Sequence, residues 1–432
     1  MDILLEPTHV SGTIAVPASK SQTIRALLLA TFAGGTSIIR NPLDSQDTRS
    51  CIAVCRAFGA DIRFDEHGSV ILHAPESFPQ AVSVDCGNSG TTLYLAMGLA
   101  ATTGSAVTFT GDAQLQSRPV DPLLQALVDL GATVTYPGKH RRAGYPPFTI
   151  TGPLTGGSTS IICHSSQYLS SLLLGCPLAE QDTQIAVPLL NERPYVHMTR
   201  SWLDMQHIAY QTDSHMSTFT IYGRQRYKPF ETTVQGDYSS ASFFICAAAI
   251  AGGCVTLQGL DPNDPQGDKE ILSIAQRMGC TVRWRDTFTV TVCGPGRGNL
   301  HAGTFDLNAI PDALPILAVT ACYAQGTTTL GNVPQARIKE TDRIAVMREN
   351  LLACGADVEE RADALIIHGT GNLPGGQCNG YDDHRIIMAM AIASLGSDHP
   401  IHITGIDAVE VTFPTFFTLL ATLSEHNRED SL

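Results

Sequence analysis

The 432-residue sequence is poor in charged residues, and positive residues are the scarcer kind. Only 16% of its residues are charged, and 27 basic against 41 acidic side chains give a formal net charge of −14. A nucleic-acid or anionic-membrane partner requires a basic face on the protein. The charge balance therefore argues against both partners, although it still permits an anionic small ligand held by a local group of cations.

Long hydrophobic runs and a targeting leader are also missing. A membrane-spanning helix needs about 20 consecutive apolar residues, and no run in the sequence reaches that length. The first segment, "MDILLEPTHVSG", has neither the cationic start and apolar stretch of a signal peptide nor the Arg/Ser-rich composition of a transit peptide. These absences predict a soluble protein.

The cysteines lack the spacing of a metal site. Twelve are present, and the closest pair, Cys51 and Cys55, has no second pair at a zinc-like distance. Cys246 and Cys322 lie inside apolar runs, which is typical of buried thiols. We therefore expect free thiols, no metal and a reducing, cytoplasmic environment.

The sequence does contain a repeat of about 70 residues. An apolar segment that ends in a Gly or polar turn and leads into a β-like run occurs six times. These apolar segments are "LLLATFAGG", "LYLAMGLAATTG", "LSSLLLGC", "FFICAAAIAGG", "LPILAVTACYAQG" and "IIMAMAIASLG". A second, amphipathic helix signal ending at Gly follows several copies, as in "CRAFGADIRF", whereas the third copy, "WLDMQHIAYQ", lacks the glycine.

Six βαβα-type units predict an α/β (α+β) protein with one almost wholly apolar helix in each unit. A helix that is apolar on all sides must be surrounded by protein, so sheets are expected outside these helices. A doubly wound α/β fold is the alternative, but no G-x-G-x-x-G sequence opens a helix after the first strand.

Polar and charged residues stand immediately before each apolar helix. Such residues are ordinary N-caps, but helix N-termini also offer free N–H groups and a positive dipole end to an anion. Lys20 and Arg25 stand at the head of the first apolar helix, and Arg385 stands at the head of the last. A bound anion explains these cations, and for Arg385 pairing with Asp382 or Asp383 is the structural alternative.

The order and spacing of nine segments resemble the 5-enolpyruvylshikimate-3-phosphate (EPSP) synthase family over nearly the whole chain. The segments are "PASKSQTIRALLLA", "GNSGTT", "SRPVDPLLQAL", "SSQYLSSLLL", "GDYSSASFFICAAAI", "IPDALPILA", "RIKETDR", "DDHRIIMAMAI" and "FPTFF". The resemblance implies a two-domain inside-out α/β barrel with three repeats in each domain. It implies one domain of residues 19–235 and another of residues 1–18 with 236–432, with the active site in the cleft between them.

The family transfers the enolpyruvyl group of phosphoenolpyruvate to the 5-hydroxyl of shikimate-3-phosphate and releases phosphate. The resemblance implies this activity, with no cofactor and no metal, and we expect a monomer. It also implies that the first domain binds mainly shikimate-3-phosphate, while the second supplies arginines for phosphoenolpyruvate.

The same resemblance identifies candidate site residues. Shikimate-3-phosphate would be held by Lys20, Ser21, Arg25, Ser165, Ser166, Gln167, Asp312, Gln335 and Lys339. Phosphoenolpyruvate would be held by Lys20, Gly90, Arg118, Gln167, Arg343 and Arg385. The implied catalytic residues are Asp312 as the base for the 5-hydroxyl, Glu340 for proton transfer at C3, and Lys20 near both substrates.

Three positions depart from the family pattern. Tyr94, Glu192 and Val411 stand where the family usually has an Arg, a phosphate-binding Ser and a phosphoenolpyruvate-binding Lys. Loss of one charged contact costs about 1.5–3 kcal/mol, or roughly 10- to 100-fold in affinity. A non-catalytic or weakened homologue that binds an anionic metabolite therefore stays open as an alternative. The related transferase that acts on a UDP-sugar is a second alternative, which the "SSQ" and "DDHR" segments disfavour.

Overall fold

The computed structural model describes residues 1–138 and 142–429, and the side chains of 425–429 are left out of the description. The chain divides into two compact units. The central unit is Lys20–Val234, and the terminal unit combines Met1–Ser19 with Gln235–Leu432. The ligands that the sequence analysis assigns to each domain stay predictions.

Helices and strands are interspersed along the described chain. The helices are α1 (Lys20–Phe32), α2 (Gln46–Ala57), α3 (Gly90–Ala100), α4 (Asp121–Asp129), α5 (Ser166–Gly175), α6 (Arg193–Met205), α7 (Tyr238–Ala251), α8 (Glu270–Arg277), α9 (Leu314–Cys322), α10 (Arg343–Ala353), α11 (His384–Ala393) and α12 (Phe416–Glu429). The strands of the first half are β1 (Asp2–Leu5), β2 (Gly12–Ala15), β3 (Thr36–Arg40), β4 (Asp61–Phe64), β5 (Val70–His73), β6 (Ala81–Asp85), β7 (Ala106–Thr110), β8 (Thr133–Thr135), β9 (Phe148–Thr151), β10 (Gly157–Cys163), β11 (Thr183–Leu190) and β12 (Tyr210–Thr212). The remaining strands are β13 (Thr218–Ile221), β14 (Glu231–Thr233), β15 (Cys254–Gln258), β16 (Thr281–Trp284), β17 (Thr289–Cys293), β18 (Leu300–His301), β19 (Thr304–Asp306), β20 (Ala324–Gly331), β21 (Val358–Arg361), β22 (Ala364–Thr370), β23 (Gly376–Asn379) and β24 (Ile401–Thr404). Among the described helices, none is both long enough and apolar enough to cross a membrane.

The central unit contains three four-stranded sheets that share one plan. Their strand orders are β14-β3-β5-β4, β6-β7-β9-β8 and β10-β11-β13-β12. The first two strands of each sheet are parallel, and the others pair in an antiparallel manner. The apolar helix α3 packs against both α1 and α5, and nearly all of its residues are buried. The three sheets therefore belong to three repeats whose apolar helices pack together.

The terminal unit repeats this plan, except that one of its sheets has three strands. Its sheets have the orders β16-β17-β15-β2, β18-β20-β22-β21 with β19 beside β20, and β1-β24-β23. The apolar helices α7, α9 and α11 contact one another and also the strands of their own sheets. This confirms the prediction of six repeats whose buried helices are covered by sheets, because an all-apolar helix is stable only inside protein.

The chain passes between the two units twice, and the strand before each crossing stays paired within its own unit. Strand β2 leads along the chain into α1 of the central unit, yet it pairs in parallel with β15 of the terminal unit. Strand β14 leads into α7 of the terminal unit, yet it pairs in parallel with β3 of the central unit. At the first crossing, Lys20 is the first residue of α1, and it directly follows Ser19, the last residue of the N-terminal segment that belongs to the terminal unit.

The third repeat replaces the expected glycine with a histidine. Gly59, Gly131, Gly279 and Gly355 follow the amphipathic helices of other repeats, and each has φ between 87° and 107°. His207 follows α6 in the third repeat and takes the left-handed conformation at φ 56°. A non-glycine residue adopts that conformation at a cost, so the turn persists although its usual residue is absent.

The prediction of free thiols is right for ten cysteines and wrong for two. The ten free cysteines of the described chain are all buried, and burial raises the pKa of Cys246 to about 12, so its thiol stays protonated. Cys254 and Cys293 form a disulfide. They lie directly opposite each other on the antiparallel strands β15 and β17, a proximity that their separation of 39 residues conceals in the sequence.

Candidate active site

Several predicted residues meet around the Arg343 side chain of the terminal unit. The guanidinium is 1% exposed and donates to Asp383 from Nε (2.8 Å), to Asp312 from Nη1 (2.8 Å) and to Glu340 from Nη2. Burial by itself lowers the pKa of Arg343, but the three carboxylates outweigh this effect and raise it. With a further bond from Nη2 to Asp383, four of the five N–H donors of an arginine are engaged.

Asp312 is the anion at which the predicted cations of the terminal unit converge. Its carboxylate lies 2.8 Å from Arg343, 3.2 Å from Arg385 and 3.6 Å from Lys339. Burial alone would raise the pKa of Asp312, but attraction to Arg385, Lys339 and Arg343 lowers it well below its usual range. Asp312 is therefore ionised at neutral pH, and it is a weak base until a ligand changes its surroundings.

Asp312 does not cap the helix that it precedes. It lies in a short 3₁₀ turn, Pro311–Ala313, and α9 begins after Ala313 without a side-chain capping bond. Capping is observed instead at four other apolar helices, where the N-cap side chain accepts a backbone N–H of the first turn. These N-caps are Ser89 of α3, Ser165 of α5, Asp237 of α7 and Asp383 of α11.

The Arg385 guanidinium pairs with Asp312, whereas the structural alternative from the sequence was Asp382 or Asp383. Asp383 accepts the Arg385 backbone N–H at 2.9 Å and binds Arg343. Burial would raise the pKa of Asp383, but the Arg343 charge lowers it overall. Asp383 thus fixes both the first turn of α11 and the arginine that opens α10.

In the central unit, Arg25 is a buried cation. It is 1% exposed, and it donates to Thr199 Oγ1 at 3.0 Å, to the Ser21 carbonyl at 3.0 Å and to the Tyr195 carbonyl at 3.2 Å. All of these acceptors, which belong to the described part of the chain, are neutral. Burial accordingly lowers the pKa of Arg25 to about 10, so an anionic ligand would relieve the cost of burying this charge.

Lys20 begins α1 and lies beside a carboxylate that the sequence analysis did not identify. Its Nζ is 3.1 Å from Asp47 Oδ2, and the two side chains are 18% and 5% exposed. Asp47 stands in the first turn of α2, where an acidic residue is ordinary. That position gives no sign in the sequence that Asp47 faces Lys20.

Gly90 and Arg118 are in close contact at the start of α3. A Cβ at position 90 would lie 2.5 Å from Arg118 Nη1, so only glycine permits this approach. Arg118 Nη2 donates to Asn88 Oδ1 at 3.2 Å. Tyr94, one turn further along α3, is buried and donates from its hydroxyl to the Pro119 carbonyl at 3.1 Å.

The serines at the head of α5 have an unexpected neighbour. Ser165 caps the helix by accepting the Gln167 N–H at 3.3 Å. Ser166 donates to Glu192 Oε2 from its backbone N–H at 3.1 Å and from its hydroxyl at 2.7 Å. Glu192 is 1% exposed and takes the left-handed conformation, with φ 55°, immediately before α6.

Two predicted amide side chains present an open acceptor. Gln167 Oε1 and Gln335 Oε1 are buried, and neither has a hydrogen-bond partner among the described residues. Gln335 is 2% exposed and is oriented by a bond from Nε2 to the Asn308 carbonyl at 3.0 Å. Buried carbonyl oxygens normally have a donor, so both positions suit a ligand that brings hydroxyl groups.

Comparison with known proteins identifies the family. The model of the family described as EPSP synthase (3-phosphoshikimate 1-carboxyvinyltransferase) matches residues 5–420. The chain belongs to the EPSP synthase family. The 3-phosphoshikimate 1-carboxyvinyltransferase of Ruminiclostridium cellulolyticum is 44% identical over 418 residues, which are 96% of this chain and 97% of that protein. The enzyme of the same name from Acetivibrio thermocellus is 44% identical over 423 residues, 98% of each chain.

Solved structures agree with the EPSP synthase assignment. An EPSP synthase structure from Acinetobacter baumannii matches with a TM-score of 0.79 at 28% identity and covers 98% of both chains. An enolpyruvyl transferase from Streptomyces tendae matches with a TM-score of 0.77 at 18% identity, over 98% of this chain and 96% of that one. The second likeness concerns the fold alone.

The predicted residues fall into a terminal-unit set and a central-unit set. In the terminal unit, Asp312, Lys339, Glu340, Arg343 and Arg385 form one connected cluster. In the central unit, most of the predicted residues stand at the heads of α1, α3 and α5, of which α3 packs against the other two. Arg25 lies in the second turn of α1, and Arg118 lies before α4. The sequence analysis missed Asp47, Tyr195 and Thr199, which contact predicted cations but lie outside the segments that carry the resemblance. It also missed Asn88, which lies in the segment "GNSGTT" but was not assigned a role.

Proposed function

We propose that this chain transfers the enolpyruvyl group of phosphoenolpyruvate to the 5-hydroxyl of shikimate-3-phosphate and releases phosphate. The full-length relationship to the EPSP synthase family carries this proposal. Lys339 and Arg385, which lie beside Asp312 with part of each side chain exposed, support it, because two highly anionic substrates need cations to hold them. Residues of both units take part in the proposed reaction.

The chemistry is an addition followed by an elimination. A proton is added to C3 of phosphoenolpyruvate while the 5-hydroxyl oxygen attacks C2 and loses its own proton. The resulting tetrahedral intermediate expels phosphate and loses a proton from C3, which restores the double bond. The protein must therefore hold two anions, accept the hydroxyl proton and move a proton at C3.

In this proposal the Asp312 carboxylate accepts the hydrogen bond of the 5-hydroxyl. Its lowered pKa makes it a poor base before the reaction, but the hydroxyl becomes strongly acidic as its oxygen attacks C2. Asp312 then orients the hydroxyl and accepts its proton late in the attack. Glu340 is the candidate for proton transfer at C3, and Lys20 contributes a charge near both substrates.

Arg385 is better placed than Arg343 to bind phosphoenolpyruvate in this proposal. Arg343 already donates four hydrogen bonds to three carboxylates. Its main effect is to offset their negative charge. The Arg385 side chain pairs with Asp312 and is 8% exposed, and the Lys339 side chain, near the same carboxylate, is 17% exposed. Arg118, beside Gly90, provides a further cation from the central unit.

The proposed function is tested by measuring phosphate release from the purified chain. We expect release only when shikimate-3-phosphate and phosphoenolpyruvate are both present, with formation of an enolpyruvyl ether seen by mass spectrometry. Reactions that lack one substrate, or that replace shikimate-3-phosphate with a UDP-sugar, serve as controls. Binding without phosphate release would support the non-catalytic homologue, and release with the UDP-sugar would support the related transferase.

We expect Arg25→Gln to bind shikimate-3-phosphate about 10- to 100-fold more weakly than the parent chain. The neutral acceptors around Arg25 leave its charge available for an anion, whereas glutamine keeps a donor but has no charge. Because burial of the charge is itself unfavourable, its removal offsets much of the stability lost with the hydrogen bonds. Isothermal titration calorimetry with shikimate-3-phosphate measures the affinity.

The matched control for this variant is Arg49→Gln. Arg49 also lies in the central unit, but its side chain is 67% exposed and paired with Asp44 at the surface. Its removal should leave ligand affinity unchanged. A large loss of thermal stability in Arg25→Gln with unchanged affinity would assign Arg25 a structural role instead.

A monomeric, cytoplasmic enzyme completes the proposal. The ten buried free thiols of the described chain suit a reducing compartment, whereas the Cys254–Cys293 disulfide is unusual there. Light scattering of the purified chain should give the mass of one chain, 46.1 kDa, and a mass of twice that value would contradict the monomer.

A further inference from the structure

Glu192 fills an anion position at the head of α5. The first turn of an α-helix presents free N–H groups and the positive end of the helix dipole. At α5, the Ser166 N–H and the Ser166 hydroxyl both donate to one oxygen of the Glu192 carboxylate, at 3.1 and 2.7 Å. A buried carboxylate of the protein thus occupies the place that a bound phosphate would otherwise take.

The resemblance described above assigns the same donors to the substrate. Ser165 and Ser166 are expected to hold shikimate-3-phosphate, and the residue in the position of Glu192 is usually a phosphate-binding serine. A phosphate group and the Glu192 carboxylate cannot both accept the Ser166 hydrogen bonds. They would also repel each other at hydrogen-bond distance, most strongly in a buried site.

We infer that Glu192 is a specificity-determining residue whose carboxylate competes with the 3-phosphate of shikimate-3-phosphate for Ser166. This inference rests on the proposed function. In the free chain the Glu192 carboxylate accepts the hydrogen bonds of Ser166 at the start of α5. The 3-phosphate of the bound substrate displaces this carboxylate. Shikimate lacks the phosphate and does not have to displace Glu192. The ratio of the affinities for shikimate-3-phosphate and shikimate is therefore smaller than it would be in a chain with serine at position 192.

Two variants separate the effect of charge from the effect of space. Glu192→Gln keeps an acceptor for Ser166 and removes the negative charge, and Glu192→Ser removes both the charge and the length of the side chain. We expect both to bind shikimate-3-phosphate about 10- to 100-fold more tightly than the parent chain, which corresponds to one charged contact. The affinity for shikimate, measured by the same calorimetry, should stay unchanged because shikimate has no phosphate to compete.

Glu180→Gln is the matched control. Glu180 is an exposed residue of the same unit, so its neutralisation changes the net charge by the same amount without touching α5. Shikimate-3-phosphate should bind this variant as it binds the parent chain. An equal gain in Glu180→Gln would reveal a general charge effect and overturn the inference.

Folding is followed separately by thermal denaturation. If Glu192→Ser does not fold, Glu192→Gln decides, because its amide oxygen still satisfies Ser166. A crystal structure of the parent chain with shikimate-3-phosphate gives an independent measurement. We expect the Glu192 carboxylate to have left hydrogen-bond distance of Ser166, and a carboxylate still bound to Ser166 beside the phosphate would overturn the inference.

The outcomes distinguish this inference from the proposed function. If the parent chain releases phosphate while both Glu192 variants bind shikimate-3-phosphate equally or more weakly, the competition is disproved and the enzyme activity stands. If the parent chain fails to release phosphate while both variants gain affinity for shikimate-3-phosphate alone, the competition stands and the activity of the natural chain is disproved.

Discussion

Turnover of shikimate-3-phosphate and phosphoenolpyruvate is expected to fall about 10²- to 10⁴-fold in the Asp312→Asn variant. The amide has nearly the shape of the carboxylate, but it cannot accept the proton of the 5-hydroxyl. The dissociation constant of shikimate-3-phosphate should change far less than kcat, because the other residues predicted to hold it remain. Steady-state kinetics and calorimetry on the same preparation separate the two effects.

The stability of Asp312→Asn provides a second measurement of the same carboxylate. The substitution leaves Arg343, Arg385 and Lys339 without their shared anion, and breaking a buried ion pair costs about 3–5 kcal/mol. Because the native pKa of Asp312 is lowered, this contribution is complete above the unfolded-state pKa of about 3.9. The difference in unfolding free energy between the parent chain and the variant should therefore shrink as the pH falls below that value.

Asp306→Asn is the control for Asp312→Asn. Asp306 is an exposed residue of the same unit and accepts from Asn332 and from the Asn308 backbone, both at 2.9 Å. Its kcat should match that of the parent chain. Near-normal turnover in Asp312→Asn, accompanied by the loss of stability, would reduce Asp312 to a residue that balances charge within the fold.

For Arg385→Gln, kcat/KM for phosphoenolpyruvate should fall about 10²- to 10³-fold, the range found when a fixed donor to a developing anion is removed. The variant should fold, since Asp312 keeps Arg343 and Lys339 as partners. Arg343 is unsuitable for the same test, because its removal would take one shared cation away from Asp312, Glu340 and Asp383 at once. Initial rates at varied phosphoenolpyruvate concentration measure the effect.

Arg361→Gln is the matched control for Arg385→Gln. The Arg361 side chain is 61% exposed and pairs with Glu359 at the surface of the terminal unit, where such pairs contribute little. Affinity for shikimate-3-phosphate should stay unchanged in both variants. If Arg385→Gln keeps the kcat/KM of the parent chain for phosphoenolpyruvate, the assignment of this arginine to the substrate is wrong.

The repeats and their buried helices could be predicted from the sequence because they depend on local patterns. An apolar helix such as α7 or α9 shows its burial in its composition alone. The caps Ser89, Ser165 and Asp383 likewise stand directly before the helices that they cap. Departures from pattern at single positions were harder to interpret, since His207 keeps a turn for which the other repeats use glycine.

Partners distant along the chain could not be predicted. The sequence offers Asp382 or Asp383 as the structural alternative to a bound anion for Arg385, but the guanidinium meets Asp312, 73 residues away. The Cys254–Cys293 disulfide depends on the register of two antiparallel strands. The sequence alone does show that the Val411 side chain cannot bind an anion by a hydrogen bond, because valine has no side-chain donor at any position in a fold.

The sequence by itself determined the class of fold, the family and the types of side chain available for two anionic substrates. These properties follow from the order of residues and from chemistry that each residue carries alone. Only the tertiary structure decided which charges meet. Arg343 reaches Asp312 across 31 residues, and Glu192 reaches Ser166 across 26. Charge interactions act through space over a few ångströms, so their outcome depends on how the helices pack and not on position along the chain.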